Sequence, residues 1–115
     1  MILDRNSILT ADDLKTEDVN CPEWGGAVRM RVLTGTQRDA FGASLRSADG
    51  KSDTGNFRAR LVVWCAVSDA GVALFTSDDV AALGEKSGSV LGRLADVAER
   101  MNGMGAAAVE TAAGN

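Results

Sequence analysis

The chain contains no histidine and no tyrosine, a single proline and two cysteines, and its only aromatic residues are Trp24, Trp64, Phe41, Phe57 and Phe75. Without histidine, and with no nucleophile standing beside a base, acid–base and nucleophilic catalysis lack their usual groups, so neither an enzyme nor a cofactor is expected. Cys21 and Cys65 are isolated and lack a CxxC spacing, which argues against a zinc site and a secreted disulfide framework; two reduced, buried, inert thiols are expected. Basic clusters are missing as well. The net charge is −4, the pI is near 4.7 and the lysines and arginines are scattered, so the counterion release that drives nucleic-acid binding has no footprint. The longest apolar run, residues 61–67, is far short of the ~20 residues a membrane helix needs. The start, Met1-Ile2-Leu3-Asp4-Arg5-Asn6, has no basic region followed by a long apolar core. The expectation is an unanchored cytosolic protein with no nucleic-acid or membrane partner.

What is present suits one modest domain. The 115 residues are 45% hydrophobic and 24% charged, ordinary values for a globular chain, and Ala and Gly are abundant, so the core must rest on Leu and Val. Near the front, Glu17, Val19 and Cys21 alternate with polar residues, as do Val28, Met30 and Val32 with Ala27, Arg29 and Arg31; each segment would bury one face of a strand. Pro22 and Gly25-Gly26 supply the bend, because Pro is poor within a central strand and Gly accepts the positive φ of hairpin turns. This predicts a β-hairpin over about residues 17–33 with Trp24 near its tip.

The helices announce themselves by caps and period. Thr10-Ala11-Asp12-Asp13-Leu14 has a cap oxygen at Thr10 and an acid three residues on, which predicts one helical turn. Thr34-Gly35-Thr36-Gln37 matches a capping box, with Phe41 and Leu45 one turn apart, for a helix of roughly 12 residues ending near Ala48. A polar loop with a mobile tip follows over residues 49–55. Phe57, Leu61, Trp64 and Cys65 have helical spacing, although Val62, Val63 and Val67 favour strand; the spacing predicts a helix. Thr76-Ser77-Asp78-Asp79 caps a short helix ending at Gly84. Ser87 or Lys86 opens the clearest helix, with Val90, Leu91, Leu94, Val97, Ala98 and Met101 on one face and Asn102-Gly103 closing it. The fold class is α+β, mainly helical, with the N-terminal hairpin packed on about three to four helices. The domain covers residues 1–104, and residues 105–115, rich in Gly and Ala, form a flexible tail.

Most chemical signals have a plainer structural reading. The acidic pairs Asp12-Asp13 and Asp78-Asp79 sit where helices begin and suit the helix dipole. Gly84-Glu85-Lys86-Ser87 superficially resembles the end of a phosphate-binding loop, but Asp79 stands where the motif needs Gly. Gly84, Gly88 and Gly92 recur every four residues and would leave a bare stripe; biased composition explains them as well. Met30 and Met101 suit core filling, whereas Met104, beyond the last helix, is the better candidate for exposure and for an adaptable apolar contact. Arg29 and Arg31 project from the hairpin face opposite Val28 and Met30, a solvated face that could meet an acidic partner.

The order of these pieces resembles the small tail assembly chaperones of long, non-contractile-tailed bacteriophages (siphoviruses) and related prophages. The resemblance rests on Pro22-Glu23-Trp24-Gly25-Gly26 and the alternating strand after it, Leu33-Thr34-Gly35 with Arg38-Asp39 and Phe41, and Arg58-Ala59-Arg60-Leu61-Val62. It continues through Leu74-Phe75-Thr76 with Asp79-Val80, and Leu83-Gly84-Glu85-Lys86-Ser87 with Leu94 and Met101-Asn102-Gly103. What it implies is a non-enzymatic late protein of the host cytoplasm, absent from the mature virion, that binds the long apolar tape measure protein, keeps it soluble and aids tail tube assembly around it. In many members of that family a ribosomal frameshift adds a second domain that recruits the tail tube protein, which makes that protein a candidate partner through a longer form. Self-association is an added expectation. The resemblance carries no catalytic, cofactor or metal residues; exposure and chemistry nominate Trp24, Arg29, Arg31, Met101 and Met104 as the partner-binding residues. The alternative is a small structural tail or head-tail joining protein retained in the virion.

Overall fold

The two alternating segments do pair. In the computed structural model, which describes residues 1–104, β1 (Thr16–Cys21) and β2 (Gly26–Arg31) form an antiparallel hairpin in the register Glu17↔Met30, Val19↔Val28 and Cys21↔Gly26. Directly opposed residues share a face, so Val19, Cys21, Val28 and Met30 line the inner side and Asp18, Asn20, Arg29 and Arg31 the outer. The connection is a single 3-10 turn, Pro22–Trp24, closed by Gly25 at φ +84°, the left-handed region that glycine enters without strain. In the three-stranded sheet β2 is the middle strand, which leaves β1 at one edge.

Five helices accompany this sheet: α1 (Arg5–Thr10), α2 (Gly35–Ser44), α3 (Phe57–Cys65), α4 (Val80–Gly84) and α5 (Gly88–Met101). The expected α+β class, with the N-terminal hairpin packed on helices, is what forms. Three caps are those the sequence proposes. Thr34 and Gln37 make a reciprocal capping box on α2, Thr76 and Asp79 do the same for the 3-10 turn Ser77–Asp79 ahead of α4, and the Ser87 hydroxyl accepts from the Val90 N–H.

Three boundaries differ. The first helix lies a turn earlier than Thr10-Ala11-Asp12-Asp13 suggests, because the Asp4 carboxylate is the oxygen that takes the free Ser7 N–H, at 2.8 Å, and Thr10 closes the turn by donating to the Asn6 carbonyl. The helix after Thr34 stops at Ser44 rather than near Ala48: the Leu45 N–H turns to Gly42, and the Arg46↔Ser52 bridge draws the next residues into a hairpin-like loop. The third correction is β3 (Ala66–Val67), which pairs with Arg29 and Met30 of β2; its β-branched Val67 leaves the helix for a ladder made by residues far away in sequence. The expected tail, 105–115, lies outside the described residues.

The core lies between the inner sheet face, α3 and α5. Met30, Leu61, Val62, Val90 and Leu94 are its largest sealed side chains, and no buried residue among those described is polar or charged. Along the outside, α5 runs antiparallel to β1: Arg93 donates to the Asn20 carbonyl and, through both terminal nitrogens, to the Glu23 carboxylate at 2.9 and 2.6 Å, while Arg100 meets Glu17 at 2.5 Å. Arg93 holds the Glu23 carboxyl down to about 2. At the far end Asn102 is the clasp. Its side-chain oxygen accepts from the Leu33 N–H at 2.8 Å, and its amide nitrogen donates to the carbonyls of Ala98 (2.9 Å) and Arg31 (3.3 Å).

Both cysteines are free and buried, as expected. Desolvation pushes the Cys65 thiol up to about 11, against a weaker downward pull from Arg31 and Arg38.

Three measurements check this packing. Leu94→Ala should cost about 2–4 kcal/mol in chemical denaturation; a loss under about 0.5 kcal/mol would place Leu94 outside the core. Asn102→Ala should cost about 1–3 kcal/mol, because it takes the acceptor from the Leu33 N–H and a donor from the Arg31 carbonyl. For Cys65 the folded state keeps its proton above the pH at which the unfolded chain loses it, so this contribution is complete below about pH 9 and falls away up to about pH 11, by about 3 kcal/mol in all. The difference in stability between the wild type and Cys65→Ala should narrow over that window, and a constant difference overturns the assignment.

Candidate functional site

The five nominated residues do not converge. Trp24 lies on the hairpin turn, 38% exposed, next to Glu23 where that residue meets Arg93. Met101 and Met104 sit at the other end of α5, roughly 12 Å farther along its axis at 1.5 Å per residue. Both are half-buried and pack against the core, Met104 included, with Asn102 between them tied to β2. The adaptable thioether surface therefore exists as a corner beside the end of β2, not as an open face.

The two arginines share the outer sheet face but are already engaged. Arg29 forms a two-pronged pair with Asp18, at 2.7 and 3.0 Å, and reaches the Asp69 carbonyl at 3.4 Å; its guanidinium holds the Asp18 carboxyl below the usual range. Arg31 is half-buried and donates twice to the Trp64 carbonyl, at 3.2 and 2.9 Å. Among the described residues Arg31 has no carboxylate within ion-pairing distance.

Arg31 also marks the rim of a cleft of about 500 Å³. Val63, Trp64, Phe75 and Val80 give it apolar walls, from α3, from the segment before α4 and from the first residue of α4, and Ala73 also lines it. The second guanidinium at the rim belongs to Arg60, whose side chain is only 15% exposed. Arg60 donates to the carbonyls of Asp53 (2.8 Å), Gly55 (3.2 Å) and Ser44, so it fastens the 49–55 loop to the end of α2 while leaving its charge only weakly paired, 3.9 Å from the Asp53 carboxylate. Behind Trp64, Phe41 packs edge-on with ring centroids 5.9 Å apart and meets the tilted Phe57 ring at a centroid distance of 6.0 Å, so three aromatic rings back the cleft wall. The arrangement can hold an apolar segment carrying an acid. It has no nucleophile–base pair to do chemistry on it.

The N-terminal segment is what the sequence reading missed. Ile2 is 98% exposed, Leu3 53%, Ile8 56% and Leu9 64%, and no residue of α1 is buried. The composition of the segment held the signal, since large aliphatic residues fill residues 1–14 although no element was assigned to cover them. At its root Leu14 lines a second, smaller pocket with Arg31, Val32 and Val67. The glycine stripe has a local use: a Cβ on Gly84 would lie 3.2 Å from the Asn56 side-chain oxygen, so Gly84 makes room for Asn56, which takes φ +53° to start α3.

No family model matches the chain, and no curated protein matches it in sequence. Among solved structures it is similar to the tail assembly chaperone of bacteriophage HK97, with a TM-score of 0.58 and 20% identity, over 84% of this chain and 94% of that one. At that identity the likeness is one of fold.

Proposed function

We propose that this protein is a non-enzymatic phage tail assembly chaperone that binds the tape measure protein, keeps it soluble in the host cytoplasm and aids assembly of the tail tube around it. The observation that carries the reading is the fold shared with the HK97 chaperone over nearly its whole length. The chemistry of the surface agrees with it. An acidic carrier, net −4, repels other loaded copies, while half-exposed thioethers adapt to varied apolar stripes. In this reading the client contact centres on the Met101 and Met104 corner, extended along α5 towards Trp24, and Arg29 and Arg31 would meet acidic groups of the client through their Nε edges only by giving up Asp18 and the Trp64 carbonyl. A longer, frameshifted form would bring the tail tube protein to the complex, and the chaperone would leave before the virion is complete.

Burial of apolar area survives high salt, whereas ion pairs at the sheet face weaken as the Debye length falls from ~10 Å at 0.1 M to ~3 Å at 1 M. Pull-down of tape measure fragments should therefore persist at both salt concentrations, and Met101→Asp with Met104→Asp should weaken it at least about tenfold, or about 1.4 kcal/mol. Loss of the complex at the higher salt alone would move the contact to Arg29 and Arg31. Binding of no fragment at either salt, with the protein found by mass spectrometry in purified virions, would overturn the chaperone reading in favour of a structural tail or head-tail joining protein.

A further inference from the structure

We propose that the end of β2 carries a docking groove for a peptide segment of another protein in which one acidic residue stands between large apolar residues, and that Arg31 reads the acid. Two depressions meet there. The first is the cleft walled by Val63, Trp64, Phe75 and Val80, and the second is the smaller pocket, about 250 Å³, to which Leu14, Val32 and Val67 contribute apolar surface. Arg31 is the one residue that lines both. A cation therefore stands at the junction of two apolar seats, and the segment that fills them is apolar at both ends with a negative charge between.

The hydrogen bonds of Arg31 leave it free for that charge. Of the five N–H donors of a guanidinium, Arg31 spends those of Nε and one of Nη2 on the Trp64 carbonyl, and Nη1 meets no acceptor among the described residues. A carboxylate can accept from Nη1 and Nη2 side by side without breaking the tie to Trp64. Arg31 is also half-buried, where an added counter-ion gains more than it would in open water.

The other ionic groups of the region are committed elsewhere. Asp79 accepts from the Thr76 N–H at 2.9 Å, Asp18 is paired with Arg29 and Asp12 with Lys15. Arg60, whose nearest carboxylate is Asp53, spends Nη1 and Nη2 on the carbonyls of Asp53, Gly55 and Ser44. Asp69 and Asp78 are exposed on turns, where salt screens them. The chain's own N-terminal segment is a poor occupant, because it sets Arg5 beside Asp4 and Lys15 against Asp12 and so brings cations along with its acids.

This inference does not depend on the client reading, because its test uses the purified full-length chain and a synthetic probe: a fluorescein-labelled peptide with two leucines on each side of a Ser-Glu-Ser centre. Fluorescence anisotropy should show saturable binding that weakens at least about tenfold when the glutamate is replaced by glutamine, and as much when the leucines on one side are replaced by serine. In Arg31→Gln the glutamate and glutamine peptides should bind alike. A protein that was merely destabilised would lose both equally and keep the preference. Ala73→Glu, at an exposed position of the cleft, should weaken the glutamate peptide more than the glutamine peptide at an unchanged melting temperature. Absence of saturable binding below about 1 mM overturns the proposal, and so does a preference for glutamate that survives Arg31→Gln. Binding abolished by Ile8→Asp with Leu9→Asp overturns it too, by placing the peptide on the N-terminal segment.

Discussion

The hydrogen bonds of one side chain, Asn102, to three main-chain groups hold the last helix against the strand pair, and most of the remaining geometry follows from that attachment. A helix C-terminus leaves carbonyls without partners, and a strand that ends inside a fold leaves N–H groups in the same position. Asn102 answers both at once, giving its amide nitrogen to Ala98 and Arg31 and its oxygen to Leu33. Arg38 from α2 then donates to the Asn102 carbonyl at 2.5 Å, so three elements meet at one residue. With that end set and Arg93 bonded to Glu23 at the other, α5 has a single alignment along β1, and Val90, Leu91 and Leu94 are delivered to the inner sheet face. The position of Met101 and Met104, half-covered on either side of Asn102, is a by-product of the same clasp.

The scattered arginines acquire a common meaning from this arrangement. Six of the nine span two elements: Arg93 and Arg100 join α5 to the hairpin, Arg60 joins α3 to the loop after α2, Arg31 joins β2 to the end of α3, Arg38 joins α2 to the end of α5, and Arg29 joins both sides of the hairpin to the turn at Asp69. Arg29, Arg60, Arg93 and Arg100 each meet a carboxylate, and the first three also close on neutral carbonyls, as Arg31 does. Long side chains of this kind serve a core built mainly from Leu, Val and Ala, which offers few large anchors. They extend the reach of elements whose apolar contact is modest.

The parts of the fold legible in sequence are those specified by neighbours a few residues apart. The hairpin bend was readable because Gly25 supplies a positive φ, and α5 because its apolar residues keep a helical period over three turns behind a Ser87 cap. Reading failed where a distant or competing partner decided the outcome. Asp4 and Thr10 are both good cap residues, and nothing local ranks them; β3 is two residues long and exists only because β2 is beside it. The candidate site was the least legible. Apolar residues in the first fourteen positions reveal their type, but whether a surface exists to cover them depends on the whole fold. Likewise Arg29 and Arg31 are one turn of the strand pattern apart, yet one finds a carboxylate and the other a carbonyl.

Asn102 is followed by Gly103, and that pair of residues gives the clasp a chemical lifetime. The slow reaction open to an Asn-Gly pair is attack of the glycine backbone nitrogen on the side-chain amide carbon, with loss of ammonia, after which solvent water hydrolyses the cyclic imide to leave an acidic residue in place of the amide. In the folded chain the Gly103 N–H is bonded to the Arg100 carbonyl at 3.3 Å and the Asn102 amide is held by its own partners, so neither reactant is free to turn towards the other. Once the acid has formed, a carboxylate faces the carbonyls of Ala98 and Arg31 where a donor stood, and the helix end can no longer close on the strand. Ageing of this protein is thereby coupled to opening of its last turn: a copy that stays folded is protected, and one that frays loses the residue that would have let it close again.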